Sequence, residues 1–256
     1  MIPVEQNDIL TRVGPGTPGG ELLRRYWQPV ACAAEVTKEA PITKIRVLGE
    51  DLVLYRMTNG EYGLITERCP HRLASFVNGR VDAEGIRCPY HGWKFDRAGK
   101  CLELPTEPAD SRLLNEVTIT AYPCQEYAGI VWAYLGPKDI PVEFPYLEFN
   151  FLPKDQIFLR KSLLECNFMQ ALEGQFDSSH IGYLHSFLAQ KKGGAAVGGI
   201  SLGTSAAADS VRTTVPKMEI HDTEYGFMLA ARRSGSNGKA YLRVTQWALP
   251  NHTFIA

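Results

Sequence analysis

Two cysteine–histidine pairs carry most of the chemistry available to this chain. Cys69-Pro70-His71 and Cys88-Pro89-Tyr90-His91 each place one thiol and one imidazole in a proline-containing stretch, with 16 residues between His71 and Cys88. Together they offer two sulfur and two nitrogen ligands. That set suits tetrahedral zinc, or a Rieske two-iron two-sulfur cluster in which both thiolates take one iron and both imidazoles the other. The spacing alone leaves both open. The surroundings favour the cluster, because Gly92 permits a tight turn, Pro70 and Pro89 stiffen the backbone, and Trp93 and Phe95 supply apolar cover. Asn78-Gly79 and Glu84-Gly85 mark a β-hairpin over Phe76 to Arg87, and the second pair lacks the helical spacing of a zinc finger. Cys32, Cys101, Cys124 and Cys166 stand singly, suggest no disulfide framework and fit a reducing compartment.

A second constellation lies downstream. Asn167, Gln170, Glu173, Asp177 and His180 recur at helical intervals as one polar stripe, opposite Phe168, Leu172 and Phe176. A solvated face is the ordinary explanation of such a stripe. The absence of Lys and Arg from Glu165 to His185 suits the lining of a buried metal site better than a salt-bridged surface. Asp177 lies one helical turn before His180 and can orient its ring. His185 lies about 140° round an ideal helix from His180, so the helix is expected to end or bulge near Gly182 if both bind one metal. Two imidazoles and a carboxylate from elsewhere would make the facial triad of an oxygen-activating ferrous site.

Cys69-Pro70-His71-Arg72 and Cys88-Pro89-Tyr90-His91-Gly92-Trp93-Lys94-Phe95-Asp96 resemble the cluster loops of Rieske-type non-haem iron oxygenases. Respiratory Rieske subunits carry an extra Cys in each loop, which this chain lacks. The stretches Gly14 to Gly20, Leu23 to Val30 and Gln170 to Gly174 resemble the phthalate 4,5-dioxygenase branch, and the resemblance runs over essentially all 256 residues. It implies one Rieske 2Fe-2S cluster on Cys69, His71, Cys88 and His91, and one mononuclear Fe(II) on His180 and His185. It also implies that Asp177 bridges His180 to His91 of a neighbouring subunit. The implied partners are an NADH-dependent flavin and iron–sulfur reductase, dioxygen, an aromatic substrate, and further copies of the chain as a trimer or hexamer. Dihydroxylation and O-demethylation use the same motifs and are not separated by them. A Rieske electron carrier with a catalytically incomplete second domain is the competing reading, and His180 and His185 speak against it.

The elements that must position these residues form, as the resemblance implies, an α+β, β-rich chain. The expected order is an N-terminal extension over 1–25, an all-β Rieske domain over 26–137, and the first part of an antiparallel-sheet-plus-helices catalytic domain over 138–256. In the later part Tyr241, Arg243, Thr245 and Trp247 alternate onto one strand face. Arg243 there can pair with a substrate carboxylate or form a surface salt bridge. The Gly- and Ala-rich stretch from Gly193 to Ala208 reads as a loop over the substrate mouth or a plain linker. Asp209, Glu219, Asp222 and Glu224 suit surface or turn roles, so the third iron ligand stays unassigned. The strand pattern running up to Ile255 leads us to expect a fragment truncated at its C-terminus. The 27 basic and 28 acidic residues give a net charge of -1, which disfavours nucleic acid as a partner. No run approaches the roughly 18 apolar residues of a membrane span, and a cytoplasmic location is expected.

Overall fold

A computed structural model of the chain describes residues 2–140, 142–184, 215–235 and 238–255. It divides into two compact units, Met1–Leu163 and Leu164–Ala256. The expected α+β, β-rich class is the one adopted. Among the described residues no helix is long and apolar enough to cross a membrane.

The first unit opens with helices α1 (Val4–Thr11) and α2 (Pro18–Leu23). The Thr17 hydroxyl accepts the Gly20 N–H at 3.1 Å and caps α2, whose first residue, Pro18, has no N–H to orphan. The strands that follow are β1 (Trp27–Cys32), β2 (Ile42–Val47), β3 (Glu50–Arg56), β4 (Tyr62–Thr66), β5 (Arg80–Val81), β6 (Ile86–Arg87), β7 (Lys94–Phe95) and β8 (Cys101–Glu103). After helix α3 (Leu113–Glu116) come β9 (Ala121–Tyr122), β10 (Cys124–Tyr127) and β11 (Ile130–Tyr134). They form three antiparallel sheets, ordered β1-β11-β10, β2-β3-β4-β9 and β5-β6-β7-β8.

β3 shows why the first unit holds together. Leu52, Val53, Leu54 and Tyr55 are an unbroken apolar run, and all four are buried, because both faces of this strand are covered. Val53 and Tyr55, with Ile65 of β4, join a core that contains Cys69, Cys88, Phe76, Ile86 and Phe95. Leu52 and Leu54, with Leu64, point the other way into a core shared with Val131 and Ala133 of β11. Gly63 of β4 is required by close approach, since a Cβ there would lie 2.3 Å from the Tyr55 ring. The hairpin expected between the two Cys–His pairs forms, with Arg80 opposite Arg87 and Val81 opposite Ile86.

The second unit contains helix α4 (Phe168–Phe176) and an antiparallel meander of β12 (Lys217–Thr223), β13 (Gly226–Ser234), β14 (Ala240–Ala248) and β15 (His252–Ile255). Along β13 the buried residues Leu229, Ala231 and Arg233 alternate with more exposed ones. Their register partners on β14 are Thr245, Arg243 and Tyr241, so this face of the sheet carries all six. Helix α4 rests on the same face, with the Phe176 and Phe227 rings 5.0 Å apart and Phe227 5.3 Å from Trp247.

The helix ends sooner than its polar stripe suggested. Asn167 caps it by accepting the Met169 N–H at 2.9 Å, and Asp177 already has extended backbone at its other end. His180–Gly182 form a separate 3-10 turn. The reason is local: the Asp177 carboxylate accepts the Ser179 N–H at 2.8 Å, an alternative to the helical ladder that Asp and Ser readily offer the backbone.

Candidate functional site

The two Cys–His stretches are turns hung from the first core. In the first, the Cys69 N–H donates to the Ala74 carbonyl at 2.9 Å and the Leu73 N–H donates back to the Cys69 carbonyl at 2.9 Å. Leu73 closes that turn with a φ of 58°. In the second, the Cys88 N–H donates to the Trp93 carbonyl at 2.8 Å and the Gly92 N–H to the Cys88 carbonyl at 3.2 Å. Gly92 sits at a φ of 77°, which a residue without Cβ adopts freely.

The turns bring like donors together. The Cys69 and Cys88 thiols adjoin each other, and both are buried. The His71 and His91 rings lie 4.5 Å apart and are half-buried. The His71 ring stacks on Trp93 at 4.6 Å and 4°, while Tyr90 packs on His91 at 3.9 Å. Burial pushes the Cys69 thiol up, and the neighbouring Cys88 adds to the rise while the His71 and Arg72 amides oppose it. Burial thus favours the neutral thiol, and a bound cation would favour the thiolate.

These residues fit a two-iron cluster. His71 Nδ1 is buried and has no hydrogen-bond partner among the described residues, as a metal-directed nitrogen should. Among the described residues no three His, Cys, Asp or Glu converge as one metal ion would need, whereas a Rieske cluster asks only two protein donors of each iron.

An ion network beneath the second turn was not foreseen. Lys94, 2% exposed, reaches Asp82 at 2.8 Å, Glu84 at 2.6 Å and Glu103 at 3.4 Å. Burial alone would lower its pKa, but hydrogen bonds to Asp82 and Glu84 raise it well above the ordinary lysine value. Arg87 donates to the Gly92 carbonyl at 2.8 Å and to Glu103 at 2.7 Å. The only sequence signal was Lys94 inside a stretch otherwise apolar around Trp93 and Phe95.

In the second unit, His180 Nδ1 lies 3.2 Å from the Asp177 carboxylate, so these two expected partners do meet. His185 and the Gly193 to Ala208 stretch lie outside the described residues, as does Asp209. Arg243 is half-buried on the β14 face beside Tyr241, Thr245 and Trp247. Arg233, which the sequence did not single out, is 2% exposed and donates to the Ser178 carbonyl, tying the Asp177–His180 turn to the sheet. Glu219 and Asp222 stand on β12, Glu219 within 4.0 Å of Lys217, and Glu224 in the turn after it.

Family models match the chain as a Rieske [2Fe-2S] domain over residues 26–123 and as a "LigXa C-terminal domain like" segment over 133–256. The chain is 37% identical over 264 residues to the phthalate 4,5-dioxygenase oxygenase subunit of Pseudomonas putida, covering 100% of this chain and 58% of that protein. It is 45% identical over 192 residues to the 5,5'-dehydrodivanillate O-demethylase oxygenase subunit of Sphingobium sp., covering 73% of this chain and 44% of that one. The terminal oxygenase of carbazole 1,9a-dioxygenase from Nocardioides aromaticivorans has the same fold, with a TM-score of 0.68 at 20% identity over 97% of this chain and 70% of that one. The chain thus spans about half the length of the curated relatives it matches. A Rieske domain followed by a LigXa-C-like domain, with full-length similarity to such an oxygenase subunit, places the chain in the Rieske non-haem iron oxygenases, as a phthalate 4,5-dioxygenase-like member.

Proposed function

We propose that the chain works within the oxygenase component of a Rieske system that hydroxylates an aromatic substrate. In this reading residues 26–137 form the cluster domain, 138–256 belong to the catalytic domain, and 1–25 precede them as an extension. Cys69 and Cys88 hold one cluster iron and His71 and His91 the other, while His180 and His185 hold a mononuclear Fe(II). When bound, the cluster supplies single electrons and the mononuclear iron activates dioxygen.

The observation that carries this reading is the pairing of buried thiols with each other and of half-buried imidazoles with each other, around the unpartnered His71 Nδ1. The imidazoles are the more exposed of the four donors, so a cluster held there would present its His71–His91 edge to an electron partner. Asp177 holds His180 Nδ1 and so fixes which ring nitrogen keeps the proton and which faces metal. Asp177 of a neighbouring subunit meets His91 and joins the two centres, within a trimer or pair of trimers. A flavin and iron–sulfur reductase supplies electrons from NADH. Arg243, on a face rich in aromatic residues, pairs with a carboxylate on the substrate. The cytoplasm suits a chain whose cysteines are all free.

O-demethylation is the second reading, favoured by the 45% identity to an O-demethylase oxygenase subunit. Purified full-length protein should hold about three irons per subunit, two in the cluster and one alone, and give a Rieske-type EPR signal when reduced. Zinc without that signal overturns the proposal. Turnover of an aryl methyl ether separates the two reactions: formaldehyde marks O-demethylation, and a hydroxylated ring with its methoxy group intact marks ring hydroxylation.

A further inference from the structure

Arg87, Lys94 and Glu103 stand in one row across three strands. Arg87 of β6 is the register partner of Lys94 of β7, and Lys94 is the register partner of Glu103 of β8. One carboxylate oxygen of Glu103 takes Arg87 at 2.7 Å and the other takes Lys94 at 3.4 Å. Asp82 and Glu84, in the turn between β5 and β6, clamp Lys94 from its other side at 2.8 Å and 2.6 Å. The row is anchored in the sheet, and its outer member reaches out of it. Arg87 Nη1 donates at 2.8 Å to the carbonyl of Gly92, the residue after His91. Gly92 has the left-handed backbone on which the second turn closes, so this bond restrains the turn that carries His91 at the peptide following Gly92.

We propose that Arg87 is a positioning residue for the Rieske cluster, fixing the turn that carries His91 and keeping a positive charge beside the cluster that raises its reduction potential. The inference rests on the cluster reading given above. Its physical basis is twofold. A guanidinium held by a carboxylate presents a preset donor to the Gly92 carbonyl, at little cost in lost side-chain freedom. Reduction adds one electron to the cluster, and a nearby cation stabilises the added charge most where the surroundings exclude water, as they do around buried Cys88 and Trp93.

The test uses full-length holoprotein and three variants. Arg87→Gln is expected to keep its cluster and its melting temperature, shift the midpoint potential downward, alter the EPR g values of the reduced cluster, and lose the cluster to EDTA several-fold faster. Arg87→Lys keeps the charge without the two-pronged reach, so the potential returns towards wild type while the faster loss to EDTA persists. Glu103→Gln removes a negative charge and shifts the potential upward. Wild-type potential and g values in Arg87→Gln overturn the proposal, as do shifts of the same sign in Arg87→Gln and Glu103→Gln. If Arg87→Gln assembles no cluster, Glu103→Gln decides: an upward shift supports the proposal and any other result overturns it. A wild-type protein without a Rieske EPR signal removes the underlying cluster reading, whereas a wild-type signal with unmoved variants removes only the role of Arg87.

Discussion

The His71 imidazole lies flat on the Trp93 indole, with ring centroids 4.6 Å apart and planes within 4°. Trp93 is 5% exposed and belongs to the core that contains both Cys69 and Cys88. One turn thus supplies the wall against which the histidine of the other turn is set. A ring held this way cannot rotate without unstacking, so the orientation of the first imidazole depends on packing from the second stretch.

Trp93→Phe keeps an aromatic wall and is expected to retain the cluster. Trp93→Ala opens a cavity beside His71, costs about 3 to 5 kcal/mol of stability, and loses the cluster several-fold faster to EDTA. Visible absorbance of the oxidised cluster against time checks this, and equal loss in the two variants would count against the stacking role.

Asp177→Asn tests the proposed link between the two centres. An amide cannot hold the charge of a carboxylate at His180 Nδ1, now 3.2 Å away. Cluster EPR should stay unchanged while single-turnover electron passage to the mononuclear iron slows by at least about tenfold, as loss of such an outer partner typically does. An unchanged rate in rapid-quench measurements would remove Asp177 from the electron path.

The Lys94 network gives a pH signature. Lys94 has a folded pKa raised above its unfolded value, so its contribution is complete below the unfolded value and is lost as pH rises through the folded one. For Asp82, burial pushes upward but the Lys94 ammonium holds the carboxyl below its ordinary value; for Glu103, Arg87 leads in lowering it. Their contributions are complete above the unfolded carboxylate pKa and are lost as pH falls through the depressed values. Urea midpoints should therefore be level between about pH 5 and about pH 10 and fall on either side. Lys94→Met should cost about 2 kcal/mol, moderated because its carboxylates stay partly in water, and should shrink both falls. An unchanged acid limb would place the acid sensitivity elsewhere.

Gly63→Ala tests the central sheet. The added Cβ would lie 2.3 Å from the Tyr55 ring, which is fully buried, so the ring or the strand must shift to admit it. A loss of about 1 to 3 kcal/mol is expected from overpacking, read as a lower denaturant midpoint at constant slope. A change below the error of the measurement would mean that the ring can move.

The two Cys–His pairs were legible in the sequence because each is local, one thiol and one imidazole within a turn of four or five residues, and the hairpin from Phe76 to Arg87 is written in its Asn-Gly and Glu-Gly dipeptides; that the turns set thiol against thiol and imidazole against imidazole was not. Asp177 and His180 were legible for the same reason, being three residues apart. The β-rich class was implied by the family resemblance, and the alternation from Tyr241 to Trp247 agreed with it, whereas the buried run from Leu52 to Tyr55 was not singled out. What the sequence could not determine was which long-range partner holds each local motif in place. Arg87 looked like any charged residue until strand register set it beside Lys94 and Glu103. Arg233 acquired its meaning only when the chain brought it to Ser178, 55 residues earlier. The end of α4 at Phe176 was decided by a competition between helical hydrogen bonds and the Asp177 side chain, which periodicity does not register. Local chemistry depends on neighbours in the chain, whereas burial and charge pairing depend on neighbours in space, and only the tertiary structure says which residues those are.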